Sequence, residues 1–241
     1  MKKAKSDFDK RKAEINKYFE FLEKLDKDMP KISYSELGIT KTSKIDLELI
    51  RILKANGFLL IYNLVEASCR NSIWEILTAI KKKKLSFKRL SEEVQDLWIK
   101  QKIKNLREAS NSTLKKNFQE LAEEIINNSI IEFKVALEKL EAGETNVFDI
   151  SGNIDAKKIR EIAIICGFNS KVGKVRERAG VCLETIKINR NLLAHGRKTF
   201  TECGQVPTVQ DMISYKNDAI SYLEGVLLNI EDYINNTKFK K

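Results

Sequence analysis

Apolar residues recur every three or four positions along most of the chain, which is the spacing of an amphipathic helix. The first such stretch follows Ser6, which forms a capping-box pattern with Asp9 three residues later. Pro30 should stop this helix, because proline has no amide hydrogen to continue it. We interpret residues 31–41 as a connector. The apolar positions of the helix are Ile15, Tyr18, Phe19 and Leu22.

A much longer apolar pattern predicts a central helix. A second capping-box pattern, Ser43 with Asp46, opens it, and it runs to about Ile80. Gly57 interrupts this helix at a cost of about 1 kcal/mol relative to alanine, so we expect a tightly packed crossing helix there. Four lysines, 81–84, end it, because cations interact favourably with the negative end of a helix dipole.

Further helices follow along the rest of the chain. One begins after Ser91, and another follows the polar residues 110–112 and continues to about Leu140. Residues 143–153 have no helical pattern, and we interpret them as a long loop. Three more helices are predicted: one capped by Asp155 and ending at Gly167, one over about 175–195, and one over about 208–236 that opens with the capping box Thr208 and Asp211.

These elements predict an all-α fold, a bundle built on the long central helix. With 2 prolines and 10 glycines in 241 residues, the chain lacks the turns that a many-stranded fold needs. We expect one domain over 1–241, with a helical N-terminal half (1–142), an irregular loop (143–154) and a C-terminal helical half (155–241).

The net charge makes nucleic acid a candidate partner. Lys and Arg number 44 against 34 Asp and Glu, a formal charge of +10 that would attract a polyanion. The alternative is that these lysines only solvate helix surfaces, where lysine is normally found. Charge alone does not decide between the two.

The cysteines argue against a metal site and for a reducing compartment. The 4 cysteines form no CxxC pair, and there is only 1 histidine to join them, so we expect neither metal nor cofactor. Free cysteines in apolar helices are typical of the cytosol. The first residues carry no signal-peptide core and no stretch reaches 18 apolar residues, so we expect a cytoplasmic protein without a membrane span.

The chemistry-bearing residues lie in INRNLLAHG, residues 188–196. On a helical wheel one apolar stripe, interrupted by Asn189, should face the core, and Asn189 then has a structural role. The opposite side carries Glu184, Asn191 and His195, and is also partly apolar. A helix that is apolar on both sides either lies centrally or packs against a second subunit, and we favour the second. The core stripe consists of Val175, Ala179, Cys182, Ile186 and Leu193, and the second apolar side of Val181, Ile188 and Leu192.

The single histidine is predicted to lie at the end of this helix. Gly196 is typical of the left-handed residue that terminates a helix, so His195 lies in the last turn, where the helix dipole favours imidazolium. Asn191 is four residues earlier on the same face. Arg190 is rotated by roughly 140° from His195 about the helix axis. Its long side chain must therefore bend around the helix to reach His195, or contact the histidine of another subunit.

RNLLAHG, residues 190–196, resembles the R-x4-H motif of HEPN-superfamily ribonucleases of toxin, antitoxin and phage-defence loci, in which a polar residue, often asparagine, follows the arginine. The resemblance extends to ANGFLLIYNLVEASCRNSI, SGNIDAKKIREIAIICGF and YKNDAISYLEGVLLNIEDYI, most of the chain. It implies a HEPN-like antiparallel helical bundle. One departure matters: members inactivated by nucleotide transfer carry a tyrosine where this chain has Arg197, which puts that control in doubt.

The resemblance also implies an activity, a metal-independent endoribonuclease. His195 would be the base or acid, Arg190 the bidentate cation on the phosphoryl oxygens, and Asn191 an orienter of His195 or of the substrate. Arg197 and Lys198 would bind the RNA backbone. A homodimer would form a composite site, and an antitoxin protein is an expected partner.

Two alternatives remain open at this point. The first is a HEPN-like module that binds RNA, a nucleotide or a protein without cleaving anything. The second is a structural helical adaptor, for which the positive charge should be spread evenly and not gathered beside the motif helix.

Overall fold

The computed structural model describes residues 1–27, 30–107, 111–142, 153–173 and 176–241, and the chain is mainly α-helical. The all-α prediction is confirmed, with a small β-hairpin added. None of the helices in these ranges has a stretch long and apolar enough to cross a membrane. The helices are α1 (Lys2–Leu25), α2 (Leu47–Lys83), α3 (Glu92–Arg107), α4 (Asn111–Ile126), α5 (Lys134–Glu141), α6 (Ala156–Cys166), α7 (Arg176–Ala194), α8 (Phe200–Gln205) and α9 (Val209–Asn235); the strands are β1 (Lys31–Glu36) and β2 (Ile39–Lys44).

The chain forms two compact units, and both take residues from α1, α2 and α9. Unit 1 consists of Met1–Lys5, Ser68–Val172 and Glu224–Lys241, and unit 2 of Ser6–Ala67 and Gly173–Leu223. The R-x4-H motif lies in unit 2. A single domain over 1–241 stays a prediction.

Unit 2 packs tightly around Gly57 of α2. A Cβ built on Gly57 would lie 2.8 Å from Met212 Cε of α9 and 3.1 Å from Phe19 Cζ of α1. Both helices therefore approach α2 at the one residue that has no side chain. The close crossing that Gly57 predicts is confirmed.

Unit 1 has its own core, into which α6 is fixed at both ends. Asp155 caps α6 by accepting a hydrogen bond from the Lys158 amide at 2.8 Å, and Gly167 ends it with φ of +82°. The Tyr233 hydroxyl donates to the Cys166 carbonyl at 2.6 Å, which joins α9 to the last turn of α6. Both ends of the helix were predicted correctly.

The first helix begins earlier than its sequence pattern predicts. The prediction of a cap at Ser6 is wrong, because α1 already begins at Lys2. Glu75 of α2 accepts hydrogen bonds from the amides of Lys3 and Ala4 at 3.0 and 3.2 Å. A carboxylate distant in sequence thus satisfies amides that a local cap would otherwise serve.

The central helix begins later than predicted. Ser43 belongs to β2, and the cap of α2 is Asp46, whose carboxylate accepts from the Leu49 amide at 2.7 Å. The proposed box of Ser43 with Asp46 is therefore wrong. The end of α2 at Lys83 agrees with the prediction from the lysine run.

The predicted connector 31–41 is wrong, since most of it belongs to the antiparallel β1–β2 hairpin. Leu37 and Gly38 form its turn, with φ of +53° and +79°. Two successive positive φ values are typical of the tight turn whose twist suits a hairpin.

The helix predicted from residue 113 to Leu140 is broken in two. After α4 the chain turns at Asn128, where φ is +50°, and the Ile131 amide donates to the Leu85 carbonyl at 3.0 Å. Burial of Ile131 and Phe133, both at most 3% exposed, favours this irregular path over a continuous helix. Of the predicted loop 143–153, only Asn153 is among the described residues.

The last two helices, α8 and α9, each begin at a capping box. In α9 the Thr208 hydroxyl accepts from the Asp211 amide at 3.0 Å, and the Asp211 carboxylate accepts from the Thr208 amide at 2.8 Å, as predicted. The short helix α8 was not predicted, although Thr199 and Glu202 form the same reciprocal pattern.

Candidate functional site

The motif helix α7 is anchored in unit 2 by one apolar stripe. Ala179, Cys182 and Ile186 are at most 2% exposed, which confirms the predicted core face for these three residues, whereas Leu193 near the end of the helix is only half-buried. The Cys182 thiol donates to the Tyr215 carbonyl of α9 at 3.2 Å. Burial raises the pKa of Cys182 to about 12, so this thiol stays protonated and is no nucleophile. Val175, the first residue of the predicted stripe, lies outside the described residues.

Asn189 interrupts that stripe, and its side-chain amide donates a hydrogen bond within its own helix. It is half-buried, and its Nδ2 donates to the Thr185 carbonyl one turn earlier at 2.9 Å. The donor is thus satisfied by the helix's own backbone, which fits a structural role.

The opposite side of α7 is apolar and exposed. Val181 and Ile188 are 68% and 48% exposed, and Glu184 between them is exposed as well. The second apolar side of α7 is thus exposed, and its packing against a second subunit stays a prediction. Within the described part of one chain, this second side faces solvent.

Tyr62 and Asn191 both contact the guanidinium of Arg190. The guanidinium carbon lies 4.5 Å from the centroid of the Tyr62 ring, and Nη1 of Arg190 donates to Asn191 Oδ1 at 2.9 Å. Tyr62 belongs to α2 and is 2% exposed, so it provides a fixed apolar platform. Stacking on an aromatic face and a side-chain acceptor together hold the planar group in place.

His195 follows the last residue of α7 in a tightly hydrogen-bonded turn. The Arg197 amide donates to the Leu192 carbonyl at 2.9 Å, and the Gly196 amide donates to the Leu193 carbonyl at 3.1 Å. Gly196 has φ of +63°. These bonds form a Schellman motif, and they confirm the predicted glycine-terminated helix end.

The site residues thus form two groups. Arg190, Asn191 and Tyr62 are joined to one another, whereas the exposed ring of His195 neither donates to nor accepts from any side chain in the described ranges. The structure therefore joins Asn191 to the arginine, and the histidine stands apart at the end of the helix.

The comparisons with known proteins identify the family. The model of the MAE_28990-like HEPN family matches residues 1–239. The chain belongs to this HEPN family. No curated protein and no solved structure matches the chain significantly. HEPN domains are helical, which agrees with the fold, and they are often ribonucleases.

A cationic turn follows the R-x4-H segment. Arg197 and Lys198 directly follow His195 and Gly196, and both side chains are exposed. The end of α7 thus presents an imidazole and two cations to solvent. Such a group of donors can bind phosphate oxygens. Within the described ranges, no three His, Cys, Asp or Glu side chains are grouped closely enough to hold a metal ion.

Sequence reasoning did not find Tyr62. No local pattern singles out this tyrosine from the other apolar residues of α2. Its role follows only from the packing of α2 against α7, which brings together residues 128 positions apart. The pairing of Arg190 with its immediate neighbour Asn191 could have been considered from the sequence.

Proposed function

We propose that this HEPN protein is an endoribonuclease that needs no metal ion. One observation carries the proposal: the R-x4-H motif of a HEPN chain has its arginine held on Tyr62 by Asn191, and its histidine exposed at a capped helix end. RNA supplies its own nucleophile, the 2'-hydroxyl, so the protein has only to move protons and stabilise charge.

The proposed reaction has one proton removed and one returned. An imidazole of His195 takes the proton of the 2'-hydroxyl, the 2'-oxygen bonds to phosphorus, and the bond from phosphorus to the 5'-oxygen breaks. An acid gives its proton to that leaving oxygen. Arg190 stabilises the negative charge on the phosphoryl oxygens with two parallel hydrogen bonds. The products are a 2',3'-cyclic phosphate and a 5'-hydroxyl.

The second imidazole comes, in this proposal, from a second copy of the chain. One histidine cannot conveniently serve as base and acid in a single step, and a two-fold dimer provides two. The exposed apolar side of α7, with Val181 and Ile188, is the surface we assign to this dimer. A second copy packed on this side would remove Val181 and Ile188 from water, which favours association.

The biological setting that we propose follows from the family resemblance. The protein would act in the cytoplasm as a toxin or antiviral effector, with an antitoxin protein as its inhibitor. Arg197 in place of a modifiable tyrosine favours control by binding over control by nucleotide transfer at that position.

One observation favours a second candidate, a module that binds RNA without cutting it. His195 has no side-chain partner in the described part of the chain, so nothing there orients its ring for proton transfer. Cleavage of single-stranded RNA in EDTA distinguishes the two candidates. The ribonuclease proposal expects cleavage by the parent protein, loss of cleavage in His195→Ala, and retained RNA affinity in that variant. If the parent protein binds RNA and cuts none, the binding module is correct.

A further inference from the structure

Among the described elements of unit 2, the β1–β2 hairpin has no buried residue. All twelve strand residues are exposed. The Ile45 amide donates to the Pro30 carbonyl at 3.0 Å and closes the base, and Ser33 and Thr42 share a hydrogen bond across the strands at 3.2 Å. A two-stranded hairpin without a core is only marginally stable in water, so it is an element expected to gain order from a ligand or partner.

The strand register gives the hairpin two different faces, because residues directly opposite each other share a face. The first face carries Ile32, Tyr34 and Ile39, with an ion pair between Glu36 and Lys41. The second, which we name the lysine face, contains lysines and hydroxyls and no carboxylate. Its members are Lys31, Ser33, Ser35, Thr40, Thr42 and Lys44, all of them described.

The lysine face contains an unfavourable pair. Lys31 and Lys44 are direct cross-strand partners, and like charges directly opposite each other destabilise a hairpin. A phosphate between the two ammonium groups would turn that repulsion into attraction. Four hydroxyls on the same face add hydrogen-bond donors for phosphate oxygens.

The hairpin is connected to the candidate site through α8. Strand β2 leads into α2 after two residues, and the first turns of α2 contact α8. The Thr201 hydroxyl donates to Glu48 at 3.4 Å, and a Cβ on Gly204 would lie only 1.8 Å from the Arg51 carbonyl oxygen. Helix α8 itself begins five residues after His195.

We propose that the lysine face of the hairpin binds the phosphate backbone of a single-stranded RNA that extends from the turn carrying His195, Arg197 and Lys198. This inference rests on the proposed function for its ligand, because it takes RNA as the substrate. It adds a second cationic surface that binds substrate away from the cleaved bond. Such contacts are independent of base sequence and depend on salt.

The test measures binding, so that it does not depend on cleavage. In a His195→Ala background, a labelled single-stranded RNA of about twenty nucleotides is titrated with the protein at several salt concentrations. The double variant Lys31→Gln, Lys44→Gln should bind on the order of tenfold more weakly near 0.15 M salt, and its salt slope should fall by about 1.4. The matched control is Lys115→Gln, Lys116→Gln, which removes two exposed lysines from α4 and should change little.

A charge reversal separates loss of contact from loss of hairpin structure. Lys31→Glu places opposite charges across the strands, which should stabilise the hairpin while weakening RNA binding more than Lys31→Gln does. Equal affinity for the hairpin variants and the control pair would overturn the inference. So would conversion of a dimer to monomers by the hairpin variants with RNA affinity unchanged, since the face would then contact a second copy.

The two proposals fail in different ways. If the parent protein binds RNA through the hairpin and cuts none, the ribonuclease proposal fails and the hairpin inference stands. If the parent protein cuts RNA and the hairpin variants bind as tightly as the control, only the hairpin inference fails.

Discussion

At the scale of single residues, the proposed activity depends on the planar guanidinium of Arg190. A guanidinium can stack on Tyr62, donate to Asn191 and still direct further N–H groups to a phosphate, because its five donors are fixed in one plane. A lysine at the same position would keep the charge and lose the stacked, bidentate geometry.

We therefore predict that Arg190→Lys lowers kcat/KM for RNA cleavage by roughly a hundredfold, because the transition state loses its two parallel hydrogen bonds. Urea unfolding should change by less than about 1 kcal/mol, since the residue is only half-buried. Arg178→Lys, an exposed arginine of the same helix, is the control and should leave kcat/KM within about twofold. Near-parental activity in Arg190→Lys would show that charge alone suffices.

Gly196 gives a second prediction at this scale. A Cβ here would meet nothing within 4 Å, so the only penalty of a side chain is the left-handed backbone with φ of +63°. Gly196→Ala should lower the free energy of unfolding by about 1 kcal/mol, and Gly196→Asn by less, because asparagine tolerates this conformation. Chemical denaturation measures both, and an equal loss in the two variants would argue against strain as the cause.

At the scale of elements, α8 is fixed by a backbone contact. Gly204→Ala would force its Cβ against the Arg51 carbonyl, so we predict a loss of at least about 2 kcal/mol in the free energy of unfolding. Gly180→Ala in α7 meets nothing within 4 Å and should stabilise the protein by up to about 1 kcal/mol through helix propensity. Denaturant titration of the pair tests the packing directly, and a stable Gly204→Ala protein would contradict it.

Local sequence patterns predicted the ends of some helices and missed others. Asp155 with Gly167, the Thr208 capping box and the glycine after His195 were predicted, because each involves residues close in sequence. The start of α1 was not, because its amides are satisfied by Glu75, which is distant in sequence.

The hairpin was missed for a different reason. The sequence shows its alternating residues and its turn at Gly38. Neither strand is buried, however, so the segment has no apolar run that distinguishes a strand from a connector. A stronger turn pair such as Asn-Gly would have signalled it.

At the scale of the whole molecule, sequence predicted the helical class and the family, since both depend on patterns spread along the chain. It placed His195 at a helix end, but it gave no sign of the platform under Arg190. That platform requires α2 and α7 to pack together, and such pairing is a property of the fold and not of any segment.

The composite site gives the prediction that belongs to this scale. We predict that an inactive double variant, Arg190→Ala with His195→Ala, suppresses RNA cleavage when it is mixed in excess with the parent protein and subunits are allowed to exchange. The mixed dimers would retain a single imidazole. The same double variant carrying Ile188→Asp on the exposed side of α7 should not suppress it, since it would fail to form the dimer. Undiminished cleavage with a large excess of the first variant would mean that each chain acts alone.

The chemistry of the RNA ends tests the central claim most directly. A mixed pool of single-stranded RNA is incubated with the protein in EDTA, and the fragment ends are identified by mass, with Arg190→Ala and His195→Ala as controls. The account predicts 2',3'-cyclic phosphate and 5'-hydroxyl ends from the parent protein and none from His195→Ala. Intact RNA, 5'-phosphate ends, or undiminished cleavage by His195→Ala would contradict it.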